Sequence, residues 1–261
     1  MSSEKGSRVE VTLEGAVACL AMSFRGRLNL MDARAVAAIT DAVASIRGRR
    51  GLRVAVLCGA AERPFVGGAD LRVLRDLGPG SAREFIRALS GAFRSIRDLD
   101  IPVVAAIEGY ALGGGLELAM SCDLRVASSG ARLGLPEVKV GIPSVIEAAL
   151  LPRLVGLGRA QRLLYTGELI DGTEAHRIGL VDVLAAPEEA RSAAMREAGR
   201  MAACSPSAMR AQKRLLRAWQ ESHLDAAVAA GVEEFDRAYA GGDPREGMTA
   251  FLERRSPRFE D

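Results

Sequence analysis

Apolar positions in residues 8–13 and 16–22 alternate or run together around Glu14-Gly15, a pattern that predicts a β-hairpin. From about Met31 to Ile46 they recur every three to four residues, the period of a half-buried helix, and Gly48 ends it. Residues 53–60, RVAVLCGA, form a short β-branched run that predicts a strand buried on both faces. PFVGGADLRVL then reads as a loop entering a helical segment, residues 81–98 as a helix, and IPVVAAIEG (101–109) as a second buried strand. A helix over about 114–121 and a third short strand in DLRVAS (123–128) follow. Strands alternating with helices predict an α/β fold with parallel strands and crossover connections. Beyond about residue 187 the helical period continues without another strand. Residues 1–200 are therefore expected to form an α/β core and residues 201–261 a helical appendage. Its Leu, Trp and Met positions fit either a cover for its own core or a contact with neighbouring subunits.

Composition narrows the class. The chain has 261 residues, 49% hydrophobic and 26% charged, as expected of a soluble globular protein. A net charge of +2 makes no general case for nucleic acid or an anionic membrane. The one basic cluster, IRGRRGLR (46–53), has no interleaved aromatic residues for base stacking and is expected to be a solvated helix end. Glu4, Glu10 and Glu14 argue against a leader, and the most apolar window, 101–122, is broken by Glu108, Glu117 and glycines. A cytoplasmic protein with no membrane or nucleic-acid partner is expected. Cys19, Cys58, Cys122 and Cys204 form no CxxC pair and only two histidines are present, so no zinc site is expected and the cysteines read as small buried hydrophobes. His176 reads as structural, and His223 carries no specific signal.

The chemistry concentrates in two glycine-rich loops. In IEGYALGGGLELAMSCD (107–123), Gly113, Gly114 and Gly115 follow a buried strand and open a helix. Bare backbone there exposes unpaired N–H groups to a ligand oxygen, the logic of an anion or oxyanion site. No GxxxxGK[ST] pattern supports a phosphate loop. FVGGAD (65–70) also follows a buried strand, so two loops could each give one donor to a single carbonyl oxygen. Two carboxylates complete the set: Glu117 on the first helical turn after the glycines, and Glu137 in LGLPEVKVGIP. Apolar neighbours would raise their pKa values if they are buried. Helix capping is the competing role for Glu117.

PFVGGADL, the stretch from IPVVAAIEG through LPEVKVGI, LPRLVGLGRAQRLLYTGELIDGTEAHRIGLVD and DPREGMTAFLERRSPRFED together resemble the enoyl-CoA hydratase/isomerase (crotonase) superfamily over nearly the whole chain. The resemblance implies a ClpP-like α/β spiral of ββα repeats with a C-terminal helical region that builds trimers, often stacked into hexamers. It implies an acyl-CoA thioester as substrate, with coenzyme A part of that substrate and no separate cofactor or metal. Ala69 and Gly114 match the two oxyanion donors. Glu117 and Glu137 match both glutamates of the hydratases, implying water addition to a 2-enoyl-CoA, with Glu117 activating water and Glu137 protonating the α-carbon. The alternatives are an isomerase or a specialised dehydratase of the same superfamily and, further off, a noncatalytic or RNA-binding homologue. Arg25, Leu28, Gly68, Asp70, Leu71, Arg72 and Gly113 match the CoA channel, and Phe251 and Arg254 match positions that reach a neighbouring subunit's CoA.

One segment departs from the family pattern. Where hydratases carry a glycine-rich run after the IP dipeptide, this chain has SVIEAALL (144–151), and Leu135 replaces a frequent glutamine. A more apolar and rigid pocket beside Glu137 is expected. Glu147 adds a third carboxylate, read as a helix-surface residue before a catalytic one.

Overall fold

The computed structural model describes residues 6–61 and 63–259; Glu4 and the last two residues of the C-terminal motif lie outside them. The hairpin pairs β1 (Arg8–Glu14) with β2 (Val17–Ser23) in antiparallel register, Glu14 opposite Val17. Helix α1 (Ala33–Ile46) begins two residues later than the apolar period suggests, because Asp32 Oδ1 accepts from the Ala35 amide at 2.8 Å and caps it. Met31 is thereby left extended, and it bridges to Ala69 instead. After α1 come β3 (Val54–Gly59), α2 (Leu71–Arg75), α3 (Pro79–Arg97), β4 (Val103–Ile107), β5 (Tyr110–Leu112), α4 (Gly114–Met120), β6 (Leu124–Ser128) and β7 (Arg132–Gly134). Two 3-10 turns, Pro136–Val140 and Glu147–Leu150, lead into α5 (Leu151–Val155) and α6 (Leu157–Thr166). Then follow β8 (Leu169–Asp171), α7 (Gly172–Arg177), β9 (Val183–Ala185), α8 (Ala190–Ala202), α9 (Pro206–Glu221), α10 (Leu224–Ala238) and α11 (Asp243–Leu252).

The main sheet has the order β1-β2-β3-β4-β6-β9, parallel from β2 onward. The central strands β2, β3 and β4 read as apolar runs because both faces are covered, while the edge strand β1 alternates and is largely exposed. Leu20, Leu57 and Ala105 face a core shared with Ile39 and Val43 of α1 and Phe93 and Ile96 of α3. Cys19, Val56 and Val104 face the opposite layer, where Ala193, Ala194 and Ala198 of α8 pack. Each large side chain buried this way contributes about 1.5–3 kcal/mol. A second sheet, β5-β7-β8, runs beside the first. Its three-residue strands are too short to show a period in sequence.

The C-terminal helices divide their surface. On α9, Lys213 Nζ donates to Asp123 and to the Ile101 carbonyl, both at 2.8 Å, and Arg217 pairs with Asp98. On α10, Leu224, Val228, Val232 and Phe235 stand exposed at helical spacing, and Phe251 and Leu252 of α11 are exposed as well.

Several expectations change in detail. Cys204 is exposed, unlike the other three cysteines, and Cys19 and Cys58 lie with sulfurs 3.6 Å apart across adjacent strands. The basic cluster is partly structural: Arg47 donates to the carbonyls of Ser95 and Asp98, and Arg53 to those of Ala202 and Phe259. The His176 ring bonds the Val181 carbonyl at 3.1 Å. Among the described residues no helix is long and apolar enough to cross a membrane, and no cluster of His, Cys, Asp and Glu could hold a metal ion.

Candidate active site

The loop after β3 and the loop after β4 are stitched together. Val66 bridges to Ala111 of β5, and Met31 bridges to Ala69. The Gly67 amide donates to the Leu28 carbonyl at 2.7 Å, which brings the segment after β2 against the same loop. This contact density explains two of the three consecutive glycines. Gly113 has φ +52° and ψ −127°, a conformation side chains rarely adopt, and a Cβ there would lie 2.7 Å from Glu137 Oε1. A Cβ on Gly115 would lie 2.1 Å from the Val66 carbonyl oxygen, so only glycine lets α4 dock on the first loop. Gly114, between them, serves differently. Among the described residues, neither its amide nor that of Ala69 has a hydrogen-bond partner.

Ala69 and Gly114 line one cavity of about 500 Å³ together with Glu117 and Glu137. The rest of its wall is largely apolar: Leu30, Leu112, Ile142 and Val145, with Phe85, Ile86 and Leu89 of α3. These α3 residues do not stand out in the sequence as site residues; their only signal is ordinary helical apolar spacing.

The two carboxylates sit in different surroundings. Glu117 is 3% exposed. It does not cap its own helix: Oε1 accepts from the Ile146 amide at 3.1 Å and the Ala148 amide at 2.9 Å. Burial pushes its carboxyl up to about 7, with the charges of Glu137 and Glu147 adding to the rise and the two amides opposing it. Glu137 lies half-buried in the first 3-10 turn, and Oε2 accepts from the Ser144 hydroxyl at 2.8 Å. Of the two carboxylates, Glu117 alone is fully buried.

The departure segment therefore acts mainly on Glu117, where the sequence reading looked toward Glu137. Its backbone amides hold one carboxylate and its Ser144 hydroxyl holds the other. Glu147 is also corrected: it is 4% exposed, not a surface residue, and pairs with Arg97 at 3.1 Å.

The remaining candidates distribute as follows. Leu28, Gly68, Asp70, Leu71, Arg72 and Gly113 all line the cavity. The Asp70 carboxylate is already committed, since it caps α2 through the Arg72 amide at 3.0 Å and takes two bonds from the Arg72 guanidinium at 2.9 Å each. These bonds hold its carboxyl below the ordinary aspartate range, against the effect of its burial. Leu71 and the Arg72 side chain remain open to solvent at the cavity mouth. Arg25 is not a lining residue, though its charge reaches Asp70. Phe251, 83% exposed, and Arg254, just beyond α11, do not line this chain's own cavity.

Comparison with known proteins agrees with this architecture. The family model described as Enoyl-CoA hydratase/isomerase matches residues 12–261. A crotonyl-CoA hydratase of Syntrophomonas wolfei is 39% identical, covering 89% of this chain and 90% of that protein. A short-chain-enoyl-CoA hydratase of Clostridium acetobutylicum is 35% identical over 93% of each chain. Among solved structures, an enoyl-CoA hydratase from Bacillus anthracis superposes with a TM-score of 0.93 at 29% identity, covering 97% of this chain and 99% of that one. DspI from Pseudomonas aeruginosa gives the same TM-score at 33% identity over 99% of both chains.

Proposed function

The chain belongs to the enoyl-CoA hydratase/isomerase family, and from that premise we propose that it adds water to the double bond of a 2-enoyl-CoA thioester. One observation carries the reading: Glu117 and Glu137 line the same cavity as two residues, Ala69 and Gly114, whose amides have no internal partner. The thioester oxygen accepts from those two amides, so charge that builds on it as the enolate forms is met by fixed donors. One such donor is worth about 2.7–4 kcal/mol of barrier. Glu117 takes a proton from water as its oxygen bonds to C3. Glu137 delivers its proton to C2, and transfer of the proton from Glu117 to Glu137 restores the pair. A base with a pKa near 7 suits this work, stronger than an ordinary carboxylate yet still substantially ionised at neutral pH. The two roles describe the net proton flow between the carboxylates.

Coenzyme A enters only as part of the substrate, and the chemistry needs no further cofactor. Its pantetheine and phosphates pass Leu28, Gly68, Leu71 and Arg72 at the cavity mouth, with Arg25 beyond. The exposed apolar stripe on α10, together with Phe251 and Leu252, is the surface through which copies associate as a trimer or a pair of trimers. Phe251 and Arg254 then reach a neighbour's CoA.

The test is loss of the conjugated-thioester absorbance of crotonyl-CoA and of a longer 2-enoyl-CoA. Hydration by the wild type that Glu117→Gln and Glu137→Gln each abolish supports the reading. No hydration, combined with conversion of a 3-enoyl-CoA that survives Glu117→Gln, would replace it with isomerase chemistry.

A further inference from the structure

Buried Glu147 pairs with the half-buried Arg97, and the pairing is incomplete. Glu147 Oε1 lies 3.1 Å from an Arg97 terminal nitrogen, while Glu147 Oε2 and Arg97 Nε are buried with no hydrogen-bond partner among the described residues. A buried carboxylate with unused bonding capacity, paired to a partly solvated guanidinium, is weak evidence for stability. Its location gives it another use. Glu147 sits between Ile146 and Ala148, whose amides both donate to Glu117 Oε1. Arg97 is the last residue of α3, the helix whose Phe85, Ile86 and Leu89 line the cavity. Neither Glu147 nor Arg97 lines the cavity.

Resting on the hydratase reading, we propose that Arg97 and Glu147 are positioning residues for Glu117: their ion pair anchors the 146–148 turn to the end of α3, so that two amides fix Glu117 Oε1 and leave Oε2 for the reacting water. Oε2 accepts no bond from the described residues, consistent with that division. The pair also sets the charge around Glu117. The carboxylates acting on Glu117 are Glu137 and Glu147. Of the strands packed on α4, β5 carries Tyr110 and β6 carries Arg125. The Arg125 guanidinium is turned away, to Asp182 and the carbonyls of Leu180 and Cys122.

The experiment compares wild type, Glu147→Gln, Arg97→Met and the apolar double replacement Arg97→Met/Glu147→Leu. Two readouts are taken: crotonyl-CoA hydration from about pH 5 to about pH 9, and an infrared titration, without substrate, of the carboxyl band that Glu117→Gln removes. Removing the Glu147 charge should lower the Glu117 titration by about half a unit or more in both Glu147 variants. Loosening the turn should lower kcat about tenfold in each single variant with little change in KM. The double replacement keeps the fold testable if a single one does not, because apolar substitutes for buried ion pairs are commonly tolerated. A fall in Tm with kcat and the Glu117 titration both unchanged would overturn the proposal. If the wild type hydrates nothing, the hydratase reading falls, and the infrared titration still decides whether Glu147 governs Glu117.

Discussion

Glu117 and Glu137 are the same side chain, twenty positions apart and facing one cavity, yet the protein surrounds them differently. Glu117 stands on a helix inside the core with an oxygen clamped by two amides, and Glu137 stands on a 3-10 turn at the half-buried edge with one hydroxyl contact. A carboxyl removed from water favours its neutral form and becomes a stronger base; one left partly solvated remains adjustable. Placing the two on elements of unequal burial is a way to give a pair of identical groups unequal tasks.

The largest test of that contrast is catalytic. Either Glu→Gln change should cut kcat for 2-enoyl-CoA hydration by about two to four orders of magnitude, the range for a positioned acid or base. The pH profile should then separate the two. In the wild type, kcat/KM should fall as pH drops through about 7, because Glu117 becomes protonated there and cannot accept a proton from water. Residual activity of Glu117→Gln should lack that limb, while that of Glu137→Gln should keep it. A limb unchanged in Glu117→Gln would show that the buried carboxyl is not the base.

The same burial has a stability consequence of opposite sign to the usual carboxylate. Glu117 is raised from an ordinary 4.5 to about 7, so the folded state prefers its protonated form. Its favourable contribution is complete below about pH 4.5 and is lost as pH rises through about 7. Glu117→Gln should therefore be more stable than wild type at pH 8, by up to about 3 kcal/mol, and nearly equal to it at pH 5. Urea unfolding at the two pH values checks this, and a variant less stable than wild type at pH 8 would contradict it.

Legibility in the sequence followed the same divide. Residues whose side chains, or lack of them, do the work were visible: the glycines flanking Gly114 cannot be replaced without a clash, and Glu117 and Glu137 are rare charges in apolar stretches. The central main-sheet strands β3 and β4 were visible because burial on both faces leaves continuous apolar runs, whereas the three-residue β9 at the sheet's edge was not. What stayed hidden was supplied by backbone or by distance. Ile146 and Ala148 contribute amides, which every residue but proline carries, so their side chains hinted at nothing but apolar filling. Glu147 read as a surface residue because its partner, Arg97, lies fifty positions earlier on another helix. The strands β5, β7 and β8 are three residues long, below the length at which alternation can be recognised.

Gly113 tests how closely Glu137 depends on bare backbone. Gly113→Ala introduces a Cβ where φ is +52° and where it would meet Glu137 Oε1 at 2.7 Å. The backbone cost alone is about 1–3 kcal/mol. Glu137 can swing aside, since it is half-buried, so the variant should fold with a lowered Tm and lose about tenfold in kcat through misplacement. Equal activity would mean that Glu137 works from another position than the one it occupies here.

The smallest expected effect belongs to Ser144, which with Glu147 is one of two polar residues in an otherwise apolar replacement segment. Its hydroxyl donates to Glu137 Oε2 at 2.8 Å and is the side-chain hydrogen bond that Glu137 receives among the described residues. A hydrogen bond at a half-buried site contributes about 1 kcal/mol, so Ser144→Ala should change kcat by about fivefold and leave Tm almost unmoved. The hydroxyl fixes the orientation of the Glu137 carboxyl, and removing it leaves that group free to turn away from C2. The loss should therefore fall on the step that protonates C2, and a solvent deuterium isotope effect on kcat should grow in the variant. Ser144→Gly restores the residue type that hydratases carry at this position and removes the same hydroxyl. If Ser144→Gly matches the wild type while Ser144→Ala does not, the contribution of position 144 lies in its backbone, and the contrast between the two carboxylates rests on burial alone.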